Sequence, residues 1–104
     1  MYLVVFRNRK RADLDPIAYE AENLRMEQLA LASPGFLALK AYTADDGEVV
    51  TISEWMSEEH ARQWGAHAEH RIAQHHGRER YYESYTLFAC PDPRIHQFNR
   101  SQDS

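Results

Sequence analysis

The sequence predicts an α+β fold in the order βαββαβ, and three observations carry that prediction. Runs rich in β-branched and aromatic residues stand at both ends and as a close central pair. Two longer segments, each opened by a capping residue, separate the outer runs from that pair. The turn "ADDGE" joins the central runs tightly enough to make a hairpin, with Gly47 at the position that needs positive φ.

The first strand spans Tyr2–Asn8. Alternation sets Tyr2, Val4, Phe6 and Asn8 on one side and Leu3, Val5 and Arg7 on the other. Both rows begin apolar, so the strand is central, and Asn8 is a polar group ending an otherwise buried row. "DLDP" starts a helix with Asp15 as N-cap and Pro16 at its first position. The helix runs to about Ala32, where "SPG" closes it. It carries two apolar stripes, one of Ile17, Ala21, Leu24 and Leu31, the other of Tyr19, Met26 and Ala30. Strands follow at Phe36–Thr43 and Val49–Met56. Ser57 caps a second helical region with Glu58 and Glu59 in its first turn; it extends to about His76, with a break expected near Gly65. "HHGRE" ends it, and Tyr81–Cys90 is the last strand. Residues 1–90 form one domain, and residues 91–104 are a polar tail with Ile95 and Phe98 as apolar anchors.

This is the ferredoxin-like arrangement, an antiparallel four-stranded sheet with its helices on one face. The strands are apolar on both faces, so the other face needs a cover. A second copy supplies one, and two sheets meeting face to face make a dimeric α+β barrel; a homodimer is therefore expected.

Composition narrows the function. The chain has 104 residues, a formal charge of −4 and one cysteine, Cys90. A net negative charge argues against nucleic acid as partner. The local basic run "RNRKR" reads as a solvated loop in preference to a phosphate site. A lone cysteine makes neither an internal disulfide nor a CxxC zinc site. No apolar run reaches membrane-spanning length and the N-terminus lacks signal-peptide architecture, so a cytoplasmic protein without membrane contact is expected.

The segment "QWGAHAEHRIAQHHGRERYY" concentrates the groups that carry chemistry. On a continuous helix Ala61, Trp64, Ala68, Ile72 and His75 share the side toward the sheet. His60, His67, Arg71 and Gln74 lie at its edge, while His70 and His76 face solvent. No HExxH or completing ligand set is present, so no metal is expected. Neither a GxSxG nor a glycine-rich phosphate loop occurs.

"VVFRNR", "SPGFLALKAYTADDGEVVTISEW" and "ARQWGAHAEHRIAQHHGRERYYESY", in that order and spacing, resemble the antibiotic biosynthesis monooxygenase superfamily of small dimeric α+β barrels. The likeness covers Tyr2 to Cys90. It implies two catalytic branches. One oxidises electron-rich phenols with O2 and no cofactor, assisted by a pocket asparagine and tryptophan. The other degrades haem, using an asparagine late in the first strand, a tryptophan on the helix of the second half and a histidine ligand ten residues after that tryptophan. Asn8 and Trp64 match the asparagine and tryptophan, and Gln74 stands at the haem-ligand position beside His75.

The first reading is thus a cofactor-independent monooxygenase acting on a small aromatic phenol or quinol. Its expected catalytic residues are Asn8 as oxyanion donor, Trp64 as apolar wall and N–H donor, and His67 or His75 as base. Phe6, Arg71, Gln74 and Tyr85 are expected to line the substrate pocket. Haem binding or degradation is one alternative; a barrel that binds a metabolite without turnover is the other. Asn8 as a strand-end residue bonding nearby backbone, and Trp64 as a core anchor, are the structural alternatives.

Overall fold

The computed structural model describes residues 1–103. Its elements are β1 (Tyr2–Lys10), α1 (Pro16–Leu31), β2 (Phe36–Thr43), β3 (Val49–Trp55), α2 (Glu58–Ala66), α3 (Ala68–His76), β4 (Tyr82–Pro91) and a terminal turn α4 (Arg100–Asp103). The sheet order is β2-β3-β1-β4 and every neighbouring pair is antiparallel. The order is that of a ferredoxin-like α+β fold, with the second helix in two pieces.

Register separates the two faces of the sheet. Tyr2 lies opposite Trp55, and the Trp55 ring stacks on Trp64 of α2, so the Tyr2–Val4–Phe6–Asn8 row faces the helices. Tyr2, Asn8, Ser53 and Trp55 on this side are buried. The alternate row of Leu3, Val5, Val50 and Ile52 is only half-buried, and Tyr42 and Phe88 beside it are 51% and 44% exposed. That exposure marks it as the face the described helices α1, α2 and α3 leave uncovered. On α1, Tyr19, Met26 and Ala30 turn inward, whereas Ile17, Leu24 and Leu31 are exposed.

Local chemistry sets the boundaries. Asp15 accepts from the backbone N–H of Ile17 (3.0 Å) and Ala18 (3.2 Å), capping α1. Gly47 has φ 89° in the hairpin turn, as its sequence position requires. Three features differ from expectation. β1 continues two residues past Asn8, because Arg7 and Arg9 are tied to the β2–β3 turn through Glu48 and Asp46. Asn8 therefore sits inside the sheet, paired with Val49 and Tyr85, and is not a strand end.

The second helical region breaks at His67 and not at Gly65. His67 takes φ −58°, ψ 133°, and its ring nitrogen accepts from the Glu69 N–H at 3.2 Å, doing the work of an N-cap carboxylate. Finally, Gly77 does not stop the chain. Helix continues as one π-turn over Gly77–Tyr81, and the Tyr82 ring lies where a side chain on residue 77 would go.

Gly35 holds the corner between α1 and β2 at φ 77°, and a side chain there would run into the His60 ring. Its carbonyl also accepts from the Met56 N–H at 2.8 Å. Gly35→Ala is expected to lower unfolding free energy by more than the roughly 1–2 kcal/mol of a left-handed non-glycine residue. His60→Ala in that background should recover part of the loss; urea denaturation of the single and double variants measures both.

Candidate active site

The helix-covered side of the sheet has two ends of different character. At the Tyr2 end lies an aromatic stack. Phe36 meets Trp55 edge-on at 5.6 Å, Trp55 stacks on Trp64 at 6.2 Å, and Trp64 stacks on His70 at 4.2 Å and 16°. Trp55 is 1% exposed and its Nε1 donates to Ser53 Oγ at 3.1 Å, so its one polar atom is satisfied.

His70 is half-buried in this stack, with Nδ1 3.0 Å from the Trp64 carbonyl oxygen. A carbonyl only accepts, so Nδ1 carries the hydrogen. Burial pushes the His70 pKa down, and that effect outweighs the carbonyl bond, which favours the charged form.

At the Asn8 end the surroundings are polar and aromatic. Asn8 is 3% exposed. Its Oδ1 accepts from Lys10 Nζ at 3.0 Å, and that ammonium lies 5.0 Å from the centre of the Tyr19 ring. Phe6 meets Tyr82 and Tyr85, both at 5.4 Å, and Tyr19 of α1 closes over Tyr82 at 6.4 Å. Tyr85 and Leu87 lie beside Asn8 and Phe6 on β4, yet stay 43% and 55% exposed, so the helices leave this edge of the sheet open. The result is an aromatic trough with a buried amide in its floor.

Behind the trough, Glu22 of α1 binds His76 Nδ1 at 2.9 Å and accepts from the Tyr81 hydroxyl at 2.7 Å. Burial, then the Glu22 carboxylate, pushes the Tyr81 hydroxyl up to about 12. Burial, reinforced by Tyr19, pushes Tyr82 higher still. Both phenols are neutral donors at physiological pH. A small cavity of about 50 Å³ lies between them, Tyr19 and Met26. A wider open cleft of about 370 Å³ at the β1–α1 connection is lined by Arg11, Asp13 and Tyr81. Arg11 there is already bound by Asp13.

The structure brings Asn8, Phe6 and Tyr85 together and keeps Trp64 with His67 and His70. Asn8 is six positions along β1 from Tyr2, about 20 Å of strand, so the two groups occupy opposite ends. The continuous-helix wheel is corrected by the break at His67. His70 and His76, expected at the surface, are half-buried, while Ile72 and His75, expected inward, are exposed. Ala68, expected on the same inward side, lies outside the residues whose side chains are described. His67, Arg71 and Gln74 are exposed as well. Along α3, Gln74 offers an amide, and of the two half-buried histidines His76 is held by Glu22 and His70 by the Trp64 carbonyl.

Lys10 and Glu22 escape sequence reasoning, and Tyr19 reads there only as part of an apolar stripe. Lys10 follows Asn8 by two residues, the strand period, and a longer β1 would have put it on the same side.

The lowered His70 pKa has a signed consequence. Between the folded pKa and the ordinary value near 6.5 the unfolded chain binds more protons, so stability falls as pH drops through that window and levels off below it. Urea denaturation of wild type should show this loss, and His70→Gln should lessen it. Trp64 fluorescence, quenched when the stacked ring protonates, should titrate below pH 6.5.

Comparison with known proteins fits this architecture. The sequence profile of the family described as "Antibiotic biosynthesis monooxygenase" matches residues 1–76. The protein YqjZ of Bacillus subtilis is 36% identical over 86 residues, spanning 83% of this chain and 74% of that one. Among solved structures, Rv0793 from Mycobacterium tuberculosis superposes with a TM-score of 0.78 at 16% identity, covering 92% of this chain and 98% of its own. SnoaB, a cofactor-independent oxygenase from Streptomyces nogalater, superposes with a TM-score of 0.65 at 20% identity, covering 96% and 99%. With a profile match over most of its length and that relative in Bacillus, the chain belongs to the antibiotic biosynthesis monooxygenase family.

Proposed function

We propose that the protein is a cofactor-independent monooxygenase that oxidises a small electron-rich phenol or quinol with O2. The observation that carries the reading is Asn8. The residue is 3% exposed and its Oδ1 is bound by Lys10, while no described residue accepts from Nδ2; since no sealed side-chain N or O among the described residues lacks a partner, Nδ2 keeps an opening to the trough. The free N–H groups sit beside Phe6 and Tyr85, where an aromatic ring finds apolar contact.

The reaction needs no metal to balance. The phenol loses its proton, the anion gives one electron to O2, and the radical pair recombines at ring carbon as a hydroperoxide. Loss of water leaves a quinone, so one oxygen enters the product and the other departs in water. Asn8 Nδ2 stabilises the substrate oxyanion while it donates charge to the ring. His67 stays beside Trp64 at the other end and His75 is exposed on α3, so the phenol's proton leaves to solvent at the open edge of the trough. Trp64 closes the far end of the helix side through its stack on Trp55. Arg71 and Gln74, on the exposed part of α3, meet only the outer rim of a bound substrate.

The functional unit in this reading is a cytoplasmic homodimer whose open sheet faces, with Leu3, Val5, Ile52 and Phe88, cover one another. No helix among the described residues is long and apolar enough to cross a membrane.

Oxygen-electrode assays with hydroquinones and anthrones test the reading. Wild type should consume O2 only with such a substrate present, and Asn8→Ala should be slower by about 10²-fold, the effect of losing one oxyanion donor. Thermal stabilisation by the phenol without oxygen uptake would identify a binding protein instead. A stoichiometric visible band on hemin titration would point to the haem branch.

A further inference from the structure

Lys10 differs from its neighbours in the basic run. Arg7 is bound by Glu48, Arg9 by Asp46 and Arg11 by Asp13. Lys10 has no carboxylate partner among the described residues. Alternation along β1 sets its side chain, two residues past Asn8, on the helix side, while the irregularity in the β1–β4 pairing falls on β4, where Lys10 lies opposite Tyr82. There the half-buried ammonium spends one of its three donors on Asn8 Oδ1 and rests near the Tyr19 face. A partly desolvated cation beside a neutral amide and neutral phenols is electrostatically incomplete. Glu22, the carboxylate that α1 brings into this cluster, is committed to His76 and Tyr81. Glu83 of β4 is exposed.

The Lys10 bond also orients the amide. With Oδ1 bound by the ammonium, Nδ2 is the donor group the amide has left, and no described residue accepts from it. Two kinds of donor, Nζ and Nδ2, thus lie at the same end of the trough formed by Phe6, Tyr82 and Tyr85. Such an end suits an oxygen anion attached to a flat ring. We propose that Lys10 is a substrate-binding residue that, with Asn8, takes the aromatic ligand as its phenolate. The inference rests on the reading of this trough as the substrate site. It adds that the site favours the ionised phenol, the species able to reduce O2, by placing a fixed cation beside it.

A phenol that reports its own ionisation tests this without turnover. The anion of 4-nitrophenol absorbs visible light and its neutral form does not. Bound to wild type, the probe should ionise about 1 pH unit or more below its free value, as expected of an acid beside a cation. Lys10→Met should bind the neutral probe and abolish the shift, whereas Lys10→Arg should keep it. Wild type at a pH above the probe's pKa should bind 4-nitrophenol at least about tenfold more tightly than 4-nitroanisole, which cannot ionise; that comparison needs no variant.

An unshifted probe, equal affinity for the two compounds, absence of binding, or a shift that survives in Lys10→Met overturns the proposal. The two readings fail separately. Phenolate capture without oxygen uptake contradicts the monooxygenase and leaves Lys10 standing. Oxygen uptake unchanged in Lys10→Met does the reverse.

Discussion

The second half of the molecule depends on a single broken turn at His67. A helix rotates about 100° per residue, so one residue of extended backbone re-aims every side chain that follows. The re-aimed chain lays His70 flat on Trp64, brings His76 to Glu22 and leaves Ile72 and His75 outside. The π-turn over Gly77–Tyr81 then adds a further rotation, which delivers the Tyr81 hydroxyl to the same carboxylate. Without the break, Glu22 would face the interior with neither partner. His67 can sustain it because its ring accepts the Glu69 N–H that the new helix would otherwise leave unpaired.

Two consequences divide the helix side of the sheet. In the Trp55–Trp64–His70 stack Trp55 Nε1 and His70 Nδ1 are both hydrogen-bonded, which suits it to fixing α2 and α3 on β3. The Asn8 end has the opposite balance. Its aromatic rings are partly open to solvent, and among the described residues nothing accepts from its amide Nδ2 and no carboxylate pairs with its ammonium. An enzyme that relies on O2 and the substrate's own electrons needs little more than a dry wall and a fixed positive potential. In the proposed reading the tryptophan end anchors the helices, and the chemistry falls to the other.

The fold was largely legible in the sequence, because its signals are local and strong. Asp15–Pro16 marks the start of α1, "ADDGE" makes the hairpin, and the apolar rows of β1 announce a two-faced sheet. The site was legible only in part. Asn8, Phe6 and Tyr85 follow from strand alternation and do come together. Lys10 was hidden because a run of basic residues reads as a loop, and only the ion pairs of Arg7 and Arg9 with the hairpin turn reveal that the strand continues. The histidines were misplaced because their orientation depends on helical phase. A histidine acting as an N-cap carries no sequence signature comparable to Ser, Asp or Pro.

The most direct test is a crystal structure of the protein with a bound electron-rich phenol that is slow to react. The ring should lie against Phe6, Tyr82 and Tyr85, with its oxygen within hydrogen-bonding distance of Asn8 Nδ2 and Lys10 Nζ. A phenol bound beside Trp64, or in the cleft at Arg11 and Asp13, would contradict this placement of the active site.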